Sequence, residues 1–248
     1  MNLEPTLSRE WTPARDADAM IVMVRDDAQV HEVVFGELGL LATAPTGSVL
    51  VLHSTVAPDT VRRVHAATVA AGVRFVDAGI STGGGRSIGE MYVMCGGEPE
   101  AVAAAMPVLE VDCRDIVRYG NAGAGMRAKL IRNAMRYALF GVLYEGMALA
   151  EAAGLDLAAM AHLYRSTFGT CADDEVVLAR PTMRPVDPAA SEADSAYVTY
   201  MTPMVTLGWK DLDDAFELAD ELGFDLSLAR AARPLYGPAL GIALAYDT

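Results

Sequence analysis

The sequence predicts an α/β protein, a mainly parallel sheet over residues 1–120 followed by an all-helical domain over residues 121–248. Three observations lead there. Short β-rich apolar runs alternate with helical stretches from about Asp18 to Tyr119, the pattern of strands joined by crossover helices. After Gly120-Asn121-Ala122-Gly123-Ala124-Gly125 the strand-like runs stop and the chain becomes helical almost to its end. Finally, 248 residues with 52% apolar, 21% charged and a mean hydropathy of +0.25 can fill one large core or two small ones, which excludes disorder as the main state.

Taken in order, Met20–Val24, Ser48–Leu52, Arg74–Asp77, Met91–Cys95 and Asp115–Tyr119 read as strands. Ala28–Phe35, Pro58–Ala71 and Pro99–Leu109 read as helices, each opened by Asp, Pro or Glu. Turns at the joins come from Gly36-Glu37-Leu38-Gly39, Pro45-Thr46-Gly47 and Gly96-Gly97-Glu98-Pro99. Met20–Val24 is apolar at every position, which predicts a strand buried on both faces with neighbours on both sides. Too few residues precede it for a β-α-β unit, so the chain is expected either to borrow strands from a partner or to lack its natural beginning. In the second domain a long helix over about Met126–Ala153 closes on Gly154. Helices near Leu157–Tyr164, Thr206–Leu222 and Leu226–Ala245 follow, the last kinked or split by Pro234 and Pro238, and Pro181–Tyr200 reads as a long loop.

Composition excludes several function classes. No apolar run approaches the roughly 18 residues of a membrane span, and the first residues show no basic or apolar leader, so a soluble, cytoplasmic protein is expected. Three widely spaced cysteines and four scattered histidines predict neither a disulfide framework nor a zinc site. A net charge of −14 repels phosphate backbones, so nucleic acid is not an expected partner. Tyr137, Phe140 and Tyr144 on the long helix, with the flank of Met20–Val24, predict a homodimer.

Four segments carry potential chemistry. Lys129, Arg132, Asn133 and Arg136 fall at i, i+3, i+4 and i+7 of an otherwise apolar helix and stack on one side. Such a stripe suits a cleft for an anionic substrate, where a desolvated lysine exchanges a proton, and suits a solvated basic face equally well. Asp77-Ala78-Gly79-Ile80-Ser81-Thr82-Gly83-Gly84-Gly85 follows a strand directly, offering hydroxyls and amides to a carboxylate, or forming a plain glycine-rich turn. His53-Ser54-Thr55-Val56-Ala57-Pro58 joins a strand to a helix, where amides and a threonine hydroxyl meet a cofactor or where Ser54 or Thr55 simply caps the helix. Trp209-Lys210-Asp211-Leu212 reads alone as a surface charge pair.

Together and in this order, the four segments resemble the β-hydroxyacid dehydrogenase family, which includes 3-hydroxyisobutyrate dehydrogenase, tartronate semialdehyde reductase and, more distantly, 6-phosphogluconate dehydrogenase. The resemblance rests on Asp77-Ala78-Gly79-Ile80-Ser81-Thr82-Gly83-Gly84, on Gly123-x-Gly125-x-x-x-Lys129-x-x-x-Asn133, on Lys210-Asp211-Leu212 and on Ser54-Thr55-x-x-Pro58. It implies a Rossmann-like sheet, NAD or NADP as cofactor and a small anionic hydroxyacid as substrate. It also implies Lys129 as general acid/base, Asn133 orienting the substrate hydroxyl, and Ser81, Thr82 and Gly83 gripping the carboxylate. Thr55 is implied at the nicotinamide ribose, Lys210 and Asp211 closing over substrate and nicotinamide, and Val24 and Arg25 at the adenosine edge in place of the family's Leu-Pro turn. Thr82 lengthens the substrate loop by one residue, and Arg136 stands where the 6-phosphogluconate branch has a glutamate acid.

The family's Gly-x-Gly-x-x-Gly fingerprint does not occur before Asp18, so an incomplete Rossmann-like sheet is expected. The leading expectation is therefore hydride transfer between NAD(P) and a β-hydroxyacid. The alternatives are a cofactor-independent isomerase or lyase using Lys129 as base, or a non-catalytic remnant of the fold.

Overall fold

The computed structural model describes residues 14, 16–82, 91–169 and 172–244. Two compact units divide the chain: Met1–Gly79, Met94–Val111 and Ile116–Met126 form one, and Ile80–Val93, Asp112–Asp115 and Arg127–Thr248 the other.

The sheet has five strands in chain order: β1 (Ala19–Val22), β2 (Val49–Leu52), β3 (Arg74–Ser81), β4 (Met91–Gly96) and β5 (Cys113–Gly120). The helices α1 (Asp27–Phe35) and α2 (Pro58–Ala70) are the crossovers that make β1, β2 and β3 run parallel. The register places Val22 beside Leu52 and Leu52 beside Asp77, so one row joins the last residues of β1 and β2 to the middle of β3. Val49, Leu50, Val51 and Leu52 are all buried, as a central parallel strand demands. β1 departs from expectation: Met20 and Val22 are buried, but Ile21 is 47% and Met23 67% exposed. Its unbroken apolar run predicted two buried faces, yet β1 is the first strand in the sheet order and only one of its faces is packed.

Every predicted strand and helix of this region is present, with Arg74–Asp77 extended four residues to Ser81. Helix α3 (Pro99–Asp112) leads into β5, and α4 (Ala124–Ala152) then begins against the sheet. Asp77, wholly buried on β3, accepts hydrogen bonds from the backbone N–H of Gly123 and of Met126, both at 2.6 Å. A carboxylate thus sits under the first turn of α4, where unpaired N–H groups and the positive end of the helix dipole favour an anion. The approach is close enough that a Cβ on Gly125 would collide with the Met94 carbonyl oxygen and with backbone atoms of Asp77 and Gly96. Gly123 also holds a positive φ of 88°.

The second unit is mostly helical. After α4 come α5 (Leu157–Phe168), a short 3-10 turn at Ala172–Asp174, α6 (Glu175–Leu178), α7 (Glu192–Glu221), α8 (Ser227–Ala232) and α9 (Tyr236–Ala239). Two sequence expectations need correction. The segment 181–200 is loop only to residue 190, because Ser191 caps α7 by accepting the Asp194 N–H at 3.1 Å, with Glu192 and Asp194 in the favourable first turn. Tyr137, Phe140 and Tyr144 do not form an outer apolar face; Phe140 belongs to a core with Leu143, Met147, Val205 and Tyr236, and the two tyrosines pack against it. The exposed apolar side chains of α4 are instead Ile131, Met135, Leu139, Val142 and Leu149. The last predicted helix is split at Arg233–Leu235 by a 3-10 turn next to Pro234.

Replacing Asp77 with Asn should destabilise the protein by about 3 kcal/mol, because one helix N–H would face an amide N–H₂ in a dry site. Urea unfolding at neutral pH measures it.

Candidate active site

Helix α4 presents Lys129, Asn133 and Tyr137 one turn apart on one side, and α7 presents Lys210, Asp211 and Asp214. Lys129 Nζ donates to the Ile80 carbonyl at 2.7 Å, next to Ser81 and Thr82 at the end of β3. Burial, then the charge of Arg132, lowers the Lys129 amine from its ordinary 10.5 to about 8, against the opposing pull of Asp211 and Asp173. Asn133 is fully buried, with its Nδ2 donating to Asp211 Oδ2 at 2.8 Å and its Oδ1 accepting from Arg132 at 3.1 Å. Tyr137 donates its hydroxyl to the same Asp211 oxygen at 3.1 Å. Lys210 Nζ lies 2.7 Å from Asp214 and 3.5 Å from Asp211 Oδ1. Asp211 is 4% exposed, and burial raises its carboxyl above the usual range despite these donors.

The cationic stripe is only partly open. Arg136 is buried, donating to Asp174 at 2.7 Å with its Nε 3.3 Å from Asp173, and its guanidinium lies over the Phe140 ring. Arg132, about a third exposed, keeps a looser 3.5 Å contact with Asp173. Pairing with acids of the Ala172–Asp174 turn neutralises Arg136 on this buried helix face, while its Nε and Nη2 make no hydrogen bond among the described residues.

In the other unit, the loops after β1 and β2 leave the same edge of the sheet. The Val24 N–H donates to Ser54 Oγ at 2.7 Å, and the exposed Arg25 donates its N–H to Gln29 at 3.0 Å. Ser54 therefore braces the neighbouring loop and does not cap α2, whose first residues follow Ala57 without a side-chain cap. The Ala57 N–H is taken by Asp27 at 3.0 Å, and His53 Nδ1 meets the Ala78 carbonyl at 2.6 Å. Thr55 is half-buried at this edge. The carboxyl ends of parallel strands are where nucleotides bind in open α/β sheets, and Val24, Arg25 and Thr55 follow the carboxyl ends of β1 and β2. The N-terminus of α1 does not fit the pyrophosphate, since Asp26 caps it and Asp27 occupies its first turn.

Residues 6–123 match the model of the NAD binding domain of 6-phosphogluconate dehydrogenase. The NAD-dependent L-serine dehydrogenase of Pseudomonas aeruginosa is 32% identical over 228 residues, 90% of this chain and 74% of that protein. An oxidoreductase of Mycobacterium tuberculosis is 31% identical over 96% of this chain and 79% of its own length. The chain belongs to the 3-hydroxyacid dehydrogenase family. The crystal structure of 3-hydroxyisobutyrate dehydrogenase from Salmonella typhimurium superimposes with a TM-score of 0.69 at 26% identity, covering 90% of this chain and 74% of that one. As a member of an NAD(P)-dependent family, the protein is an oxidoreductase, which sets aside the isomerase, lyase and non-catalytic expectations. Among the described residues no helix is long and apolar enough to cross a membrane.

Of the residues predicted from sequence, the structure brings Lys129, Asn133, Lys210 and Asp211 together in one unit, with Ser81 and Thr82 following the carbonyl that holds Lys129. Lys210-Asp211 is not the surface pair its sequence suggests when read alone. Val24, Arg25 and Thr55 lie in the other unit, and Gly83 lies outside the described residues. The sequence assigns no role to Asp77 and points to Tyr137 only as part of an outer apolar face. Its spacing of i+4 from Asn133 was the available signal for Tyr137.

The depressed Lys129 has a thermodynamic consequence. The folded amine loses its proton near pH 8 and the unfolded one near 10.5, so the unfolded chain binds more protons between those values. Wild type should gain stability relative to Lys129→Met as pH rises from about 8 to 10.5, with no such trend below 8; paired urea titrations measure the difference.

Proposed function

We propose that the protein interconverts a small β-hydroxyacid and its carbonyl form with NAD or NADP, in the manner of a 3-hydroxyisobutyrate dehydrogenase. The observation that carries this reading is the Lys129 amine, desolvated, held on the Ile80 carbonyl beside Ser81 and tuned to about pH 8. Relatives named for L-serine and for 3-hydroxyisobutyrate add support, both compounds being small acids with the hydroxyl on the β carbon.

In this reading the bound nicotinamide supplies the hydride acceptor or donor. Everything else is asked of the chain. Ser81, Thr82 and Gly83 take the substrate carboxylate, and neutral Lys129 accepts the hydroxyl proton as the carbinol C–H is lost. In reduction, protonated Lys129 returns that proton to the carbonyl oxygen. Asn133 has a second amide hydrogen left to orient the reacting oxygen, since only one is used on Asp211. Lys210 and Asp211 close over substrate and nicotinamide, and Thr55 with Val24 and Arg25 receives the nucleotide.

The test is turnover of NAD⁺ or NADP⁺ with 3-hydroxyisobutyrate, L-serine and related β-hydroxyacids, read from reduced-nicotinamide absorbance. Lys129→Ala should lower kcat by at least about 100-fold with the fold intact. Oxidation should fall about tenfold per pH unit below about 8, where Lys129 is protonated, and reduction should fall above it. Turnover undiminished in Lys129→Ala would refute the assigned role.

The same reading includes a homodimer. Met135, Leu139, Val142 and Leu149 recur on α4 at spacings of four, three and seven, a coiled-coil-like seam, and all are more than half exposed. Beside them Ile131, Met135, Leu218, Leu222, Phe224 and Leu228 line an apolar groove of about 510 Å³. The seam is apolar on a chain whose net charge is −14, which favours self-association there and not at the acidic remainder. Sedimentation at micromolar concentration should give a dimer for wild type and a monomer for Val142→Glu; a monomeric wild type contradicts it.

A further inference from the structure

We propose that Tyr137 is a positioning residue for the reaction, acting through Asp211 on Asn133; the inference rests on the functional reading above, which places Asn133 at the reacting oxygen. Asn133 and Tyr137 stand four residues apart on α4, and their side chains converge on one carboxylate oxygen of Asp211, at 2.8 and 3.1 Å. Among the described residues the other oxygen has the 3.5 Å contact with Lys210, whose closer partner is Asp214 at 2.7 Å. Among the described residues Tyr137 and Asn133 are therefore the two short donors to Asp211.

The amide of Asn133 is specified at both ends. Its oxygen takes Arg132 and its nitrogen faces the carboxylate, so turning it over would set N–H against N–H and oxygen against oxygen. That arrangement holds only while Asp211 is ionised. Burial pushes the Asp211 carboxyl up, while Lys210, Lys129 and the hydrogen bond from Tyr137 pull it down. Without the phenol the carboxyl protonates at higher pH and competes with Asn133 as a donor, releasing the amide.

The ring is braced for this task. Tyr137 packs against Tyr236 with centroids 4.7 Å apart, and Tyr236 lies over Gly208, where any Cβ would collide with its ring. Gly208 precedes Asp211 by three residues on α7, so one stretch of helix supplies both the acceptor and the space that seats the brace. The charged and titratable groups acting on Asp211 are Lys129 and Tyr137 from α4, Lys210 from its own α7, with Asp214 beyond it, and Tyr236 from α9.

Tyr137→Phe keeps the ring and removes only the hydroxyl. It should lower kcat about tenfold, leave KM within about twofold, and move upward by about half a unit or more the acid limb of the kcat profile for carbonyl reduction, the direction in which protonated Lys129 is the active form and sets no acid limb of its own. Incorporating 3-fluorotyrosine at 137, a stronger donor of the same shape, should move that limb downward. Tyr236→Phe, which keeps the brace, should leave it in place. An unmoved limb in both Tyr137 variants, or a loss of kcat accompanied only by a lower Tm, overturns the proposal as a merely structural effect. Carbon-13 titration of the Asp211 carboxyl in wild type and Tyr137→Phe gives a readout independent of turnover. If no β-hydroxyacid is turned over with either nucleotide, the functional reading fails, and an unchanged Asp211 titration then overturns the Tyr137–Asp211 link as well.

Discussion

One buried carboxylate carries the organisation of this chain. Asp77 has no exposed surface and spends its two oxygens on the Gly123 and Met126 amides, so a charge that would be costly if unpaired becomes the anchor of a 29-residue helix. Two glycines make the anchor possible, Gly123 by its left-handed backbone and Gly125 by lacking a side chain where the backbone of β3 and β4 crowds in. Lys129 and Asn133 follow on the same helix, one turn apart. The spacing Gly-x-Gly-x-x-x-Lys-x-x-x-Asn is the linear trace of this arrangement.

The helical unit manages its buried charges by pairing most of them and leaving one lysine under-solvated. Arg136 is matched by Asp174, Lys210 by Asp214, and Asp211 by the donors Asn133 and Tyr137. Lys129 has a carbonyl where the others have carboxylates or strong donors, and it shares its neighbourhood with Arg132. A cation placed so gives up its proton more readily than in water, which is the property proton exchange at neutral pH requires. Without Asp173 and Asp174 to occupy the arginines, the same helix face would be too positive to bury.

Much of this was legible from residue order. Alternation and turn residues located all five strands and the first three helices, because each depends on local pattern and on burial within the sheet. The extent of burial was not legible at β1, where an apolar run looks the same whether one face or two is covered. The start of α7 was missed for a different reason: Ser191, Glu192 and Asp194 serve equally as loop formers and as a cap with first-turn acids, and packing decided between them. Tyr137 looked like a surface aromatic because its partner, Asp211, lies 74 residues further along the chain.

The sequence by itself determined the fold class, the order of elements and the family, since periodicity and short motifs encode interactions that close within a few residues. It also determined that Lys129, Arg132, Asn133 and Arg136 would share a helix face. Which of those cations would be neutralised, which carboxylate would receive Asn133, and which tyrosine would join them were decided only by tertiary structure. Each of these depends on charges brought together across dozens of residues, and their protonation depends on how much water the packed core leaves around them.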